Sequence, residues 1–130
     1  MPHLKFEINK KVSDDIKKEF ILKIEDAFSE VMDTDKGHIP ISINEVGKYD
    51  ISIGRAVDGD DICLMSLDIR HGRTIEQRRE LALRFMAIVN ELFKVDNRNQ
   101  YLTYTKHDGE DFHLIERYLP SWTLNEDFLA

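Results

Sequence analysis

The sequence predicts an α+β fold in which two tandem βαβ units contribute four strands to one mixed sheet, with two helices on one face. Three observations carry that prediction. The stretch from Ile62 to Asn97 reads as a buried strand, a short turn and a long amphipathic helix. The first third of the chain overlays on this stretch without a gap, and a further strand follows the helix in both copies.

In the second unit, Met65, Leu67 and Ile69 alternate with Leu64, Ser66 and Asp68, the two-residue period of a strand. Arg70-His71-Gly72-Arg73 forms the turn, with two guanidiniums around a glycine. Thr74 and Gln77 then match a capping box, in which the two side chains satisfy the free N–H groups that open a helix. Leu81, Phe85, Ile88, Val89 and Leu92 recur at helical spacing and define its apolar face, while Glu76, Arg78, Arg79 and Arg84 line the rest.

Sliding the chain by 61 positions places Phe6-Glu7-Ile8 on Leu67-Asp68-Ile69, Ser13 on Thr74, Glu19 on Glu80, Leu22 on Leu83, Ile24 on Phe85, Phe28 on Val89, Glu30 on Glu91 and Asp35 on Asp96. Beyond the helices, Ile41 and Ile43 fall on Leu102 and Tyr104. Caps, helix length and the following strand recur together, which marks a duplicated unit rather than a chance overlap of apolar periods.

In chain order, Leu4, Phe6 and Ile8 alternate with His3, Lys5 and Glu7 as the first strand. Ser13-Asp14-Asp15 caps the first helix, with acids where the helix dipole favours them. Ile16, Phe20, Ile24, Ala27, Phe28 and Val31 form its buried stripe, and it stops between Asp33 and Gly37. Ile39 to Ile43 is the second strand, with Pro40 at its start or at an edge. Lys48 to Asp61 is a loop joining the halves, and Gln100 to Thr105 is the closing strand. The reading is one domain spanning 1–130, with units at about 2–46 and 62–107 and a tail over 108–130. Phe112, Leu114, Tyr118, Leu119, Trp122, Leu124, Phe128 and Leu129 are more apolar side chains than a small two-layer domain has room to cover, so the tail is expected on a neighbouring subunit.

The 130 residues are enough for one buried core. A net charge of −7 argues against nucleic acid, which calls for a basic face. The lone Cys63, expected as a core thiol, excludes an internal disulfide and a zinc–cysteine cluster, so a reducing cytoplasm is expected. No apolar run approaches about twenty residues, and no signal peptide is read at the start, so no membrane association is expected. His71, His107 and His113 lack metal-ligand spacing and are read as surface residues; neither a metal nor a cofactor is expected.

The tandem unit, the initial Met1-Pro2 and the Arg70-x-Gly-Arg73 turn together resemble the tautomerase superfamily, whose members use an amino-terminal proline as catalyst. Within it the chain is most similar to the cis-3-chloroacrylic acid dehalogenase and 5-carboxymethyl-2-hydroxymuconate isomerase groups. The dehalogenase pattern is matched at Gly54, Gly59, Asp61, Arg70, Gly72 and Arg73, and again at Arg117-x-Leu119-Pro120. The isomerases share Met1-Pro2-His3 and a similar Gly72-Arg73 turn. The resemblance covers nearly the whole chain and implies a homotrimer of such fused units.

The chemistry follows from the residues. Once Met1 is removed, Pro2 presents a free secondary amine. An α-amino group titrates near 7.7–8.0, and burial beside two guanidiniums disfavours its cation, leaving a neutral base. Arg70 and Arg73 suit a small carboxylate substrate, gripped bidentately, and they also stabilise an enolate developing beside it. As bare turn residues they would oppose the helix dipole, so a purely structural role is not expected. Pseudo-twofold pairing of the units would set Pro2 and both arginines around one pocket. The resemblance adds Tyr104, which falls where the dehalogenases carry a catalytic tyrosine.

The departures narrow the substrate. Phe28 stands where the dehalogenases carry a histidine, and is expected against the substrate; Leu114 stands where they carry a water-activating glutamate, unless Glu110, Asp111 or Glu116 takes that part. Ile39-Pro40-Ile41 displaces the arginine that the isomerases carry on the second strand. The expectation is a tautomerase with Pro2 as general base and acid on a 2-keto acid or its enol. The alternatives are a hydratase, dehalogenase or decarboxylase of a small unsaturated or keto acid, or a non-catalytic trimeric scaffold if Met1 is retained.

Overall fold

The computed structural model describes residues 2–115 and 117–118. The first unit is strand β1 (His3–Ile8), helix α1 (Asp14–Met32) and strand β2 (Ile41–Glu45); the second is β3 (Cys63–Arg70), α2 (Ile75–Ile88) and β4 (Gln100–His107). A short pair, β5 (His113–Leu114) and β6 (Arg117–Tyr118), follows and runs antiparallel. The four long strands form one sheet in the order β2-β1-β3-β4. β1 is parallel to β2 and β3 to β4, as a helical crossover requires, and the two units meet where β1 runs antiparallel to β3.

Alternation decides which face is covered. Leu4, Phe6 and Ile8 pair with Leu67, Met65 and Cys63, and all six are buried beneath the helices. Phe20, Ile24, Ala27, Phe28 and Met32 are the buried residues of α1, and Leu81 and Phe85 those of α2. The core is tied across the units by aromatic contacts, with Phe20 and Phe93 stacked at 4.1 Å and Phe6 edge-on to Phe20 at 4.9 Å.

The duplication extends to details that periodicity does not reach. Ser13 and Thr74 both cap their helices, and the predicted capping box of Thr74 and Gln77 is formed. α1 ends at Met32, and α2 continues through a π turn to Phe93, the matching position. Asp33 and Lys94 then both take the left-handed conformation, with φ of 52° and 59°. One-turn 3₁₀ helices follow at Lys36–His38 and Asn97–Asn99, capped by Asp35 and Asp96.

Three expectations shift. The second strand opens at Ile41 rather than Ile39, because Ile39 closes the 3₁₀ turn and Pro40 has no N–H, offering the sheet only its carbonyl to Leu4. The closing strand reaches His107, not Thr105, so His107 is no surface residue: it is half-buried, and its Nε2 lies 2.9 Å from Asp68. The apolar tail from Leu119 to Leu129, expected on a neighbour, lies outside the described residues. Among the described residues no helix is long and apolar enough to cross a membrane.

Candidate functional site at the opening of the first strand

Pro2 is buried and immediately precedes β1. Because β1 and β3 are antiparallel, with His3 opposite Asp68, this end of β1 lies beside the end of β3 that carries Arg70. Parallel β2 flanks it on the other side, and Leu4 N–H donates to the Pro40 carbonyl there. A cavity of about 200 Å³ opens here, walled by Pro2, His3, His38, Pro40 and the segment from Asp111 to Leu114. The volume suits a small acid better than a larger ligand.

The arginines lie on the β3 side. Arg70 is 3% exposed and Arg73 is 9% exposed, so both guanidiniums are held inside the protein. Arg73 Nη1 donates to the carbonyl of Met32 at 2.7 Å, and Gln77 Nε2 donates to Val31 O at 3.2 Å. These are carbonyls left over at the end of α1, whose last turn carries no basic residue of its own. A structural role for Arg73, discounted because cations oppose the dipole at the start of their own helix, therefore exists: the start of α2 meets the end of α1, where a cation is favoured. Lys10 does the same in the other direction, its Nζ donating to Phe93 O at 2.9 Å. Neither arginine is among the described residues that wall the Pro2 cavity.

Tyr104 points to the helix face, pairing with Leu67 in the sheet and donating its hydroxyl to Arg78 O at 2.6 Å. Burial raises its pKa well above the ordinary value, so the phenol stays protonated. Phe28, 2% exposed, packs in the core. Of the acids considered for activating water, exposed Asp111 is at the cavity and Glu110 is exposed beside it; Glu116 lies outside the described residues. Cys63, the counterpart of Pro2 in the repeat, is fully buried, and burial pushes its thiol up to about 12. His38 was not singled out from the sequence. The available signal was the repeat itself, which sets His38 on the polar Asn99.

A larger hollow of about 310 Å³ lies between the helices, lined by Lys23, Asp26, Glu30, Arg84 and Ile88. It is more open, and Arg84 is already bound to Glu30 at 2.7 Å, so it gathers no reactive group.

The same fold is found in solved structures of low sequence identity. Pt0534, solved after inactivation by 2-oxo-3-pentynoate, superposes with a TM-score of 0.77 at 13% identity, over 87% of this chain and 92% of its own. A fused 4-OT (Q0), described as a symmetric trimer, gives 0.76 at 16% identity over 94% and 95%. Macrophage migration inhibitory factor of Toxoplasma gondii gives 0.77 at 11% identity over 90% and 99%. No family model and no curated protein matches the sequence.

Proposed function

We propose that the protein is a tautomerase-type isomerase of a small 2-keto carboxylic acid and its enol, working without a cofactor, with Pro2 as the proton-transfer group once Met1 has been removed. The observation that carries this reading is the burial of Pro2 at the wall of a small cavity, on the strand end that adjoins two buried arginines. A neutral secondary amine there takes the proton from the enol hydroxyl, and the resulting ammonium returns a proton to carbon, giving the keto acid. Arg70 and Arg73 supply the positive field on the β3 side, where a carboxylate is gripped and the enolate oxygen is stabilised.

The working assembly is proposed to be a homotrimer in the cytoplasm. The sheet face that carries exposed Lys5 and Ser66 among the described residues offers a surface for association, and the resemblance to a fused trimer supports the stoichiometry.

A second reading has its own support. Arg73 and Tyr104 both spend hydrogen bonds on helix carbonyls, as they would in a protein that kept the fold without the chemistry. Intact mass of the native protein and the rate of ketonisation of phenylenolpyruvate separate the two. A Met1-free protein that accelerates ketonisation, with loss on the order of 10²-fold in kcat for Pro2→Ala, supports the isomerase. Retained Met1, or no rate above buffer, leaves the binding protein.

A further inference from the structure

The two units repeat their charges as well as their cores on the outer face of the helix layer. Lys23 Nζ of α1 lies 3.2 Å from Glu91, and Arg84 Nη2 of α2 lies 2.7 Å from Glu30. The 61-residue shift exchanges these ion pairs, Lys23 falling on Arg84 and Glu30 on Glu91. Because β1 and β3 are antiparallel, α1 and α2 are too, so the two pairs sit at opposite ends of the hollow between the helices.

Next to each pair a leucine faces solvent. Leu22 is 62% exposed and Leu83 is 65% exposed, and the same shift relates them. Neither belongs to the core or packs against it among the described residues. One exposed leucine is ordinary on a protein surface, but here both units present it on one face, diagonally across the hollow. The helices between which it lies differ in charge. α1 carries six carboxylates against three lysines, and α2 carries three arginines against two glutamates.

We propose that this helix face is an interaction surface for a second copy of the chain, with Leu22 of one copy packed on Leu83 of the other. A half-turn about an axis in the plane of the helix layer, perpendicular to the line joining the leucines, makes both contacts at once. It also lays acidic α1 of each copy across basic α2 of the other, the self-complementarity that a twofold contact requires. The open face of the sheet lies on the opposite side, so this contact can join two assemblies built through their sheets.

Sedimentation equilibrium of the native protein and of the double variant Leu22→Glu with Leu83→Glu tests this. Both positions are exposed, so the variant should fold, and its melting curve checks that. The native protein at high concentration should have twice the mass of the variant. Each leucine is met twice in a twofold contact, so either single substitution should weaken association by about tenfold or more. Should the glutamates lower the melting temperature, Leu22→Ser and Leu83→Ser, which add no charge, carry the same expectation. Arg79→Glu, on the exposed side of α2, should also weaken association, and more so at low salt, where exposed charges are less screened. Equal masses for native protein and folded leucine variants up to the solubility limit overturn the proposal, as does a doubled mass that survives both substitutions. Association that ignores Arg79→Glu at low salt overturns the facing of α1 on α2.

Discussion

Arg73 Nη1 lies 2.7 Å from the carbonyl oxygen of Met32, so a residue at the start of the second helix closes the end of the first. A charged donor on a buried carbonyl contributes roughly 1.5–3 kcal/mol. Arg73→Ala should lose about that much in urea unfolding, and Arg73→Lys should retain part of it. In the proposed isomerase the alanine variant should also lose kcat/KM when assayed well below its melting temperature, since truncating a charge-assisted contact weakens binding in the ground state or the transition state.

Phe20 and Phe93 bring the two helical layers together at 4.1 Å. Phe93 is 1% exposed, and the position has little room to collapse. Phe93→Ala should destabilise by about 3–5 kcal/mol in chemical denaturation, whereas substitution of exposed Leu83 should change stability little.

Cys63 should be inert in the native state. Its thiol is pushed up to about 12 by burial, so thiolate is scarce at pH 8. Labelling with a disulfide reagent should follow global unfolding and rise steeply only in denaturant. Fast labelling of the folded protein would contradict the burial described for it.

The linker should lose its hold in acid. Hydrogen bonds from Val57 N–H and Asn99 hold the Asp60 carboxyl below its ordinary value. Burial pushes Asp61 up, but Lys48 and Lys10 outweigh it, and it too titrates low. Groups with depressed native values stabilise the fold above their unfolded pKa, and that contribution is lost as pH falls through the native values. Stability measured from pH 6 downward should therefore decline below the ordinary aspartate range, and Asp60→Asn should show a shallower decline.

The amino-acid sequence by itself determined the two units, their helix caps, the strands and the buried stripes, because each depends on residues a few positions apart. Ser13, Thr74 and Gln77 act within one helical turn, and Leu4, Phe6 and Ile8 follow the pleat of a single strand. Comparing the sequence with itself also revealed the repeat, which the matching left-handed residues Asp33 and Lys94 carry to the ends of the helices. Only the tertiary structure decided where the polar side chains act. The antiparallel join of β1 to β3 brings the start of α2 to the end of α1, giving Arg73 a helix terminus from the other unit. The same arrangement turns Tyr104 toward Arg78, buries Phe28 in the core and sets His38 beside Pro2. Those relationships join residues tens of positions apart, and the direction of a side chain across such a distance is set by how the two units pack.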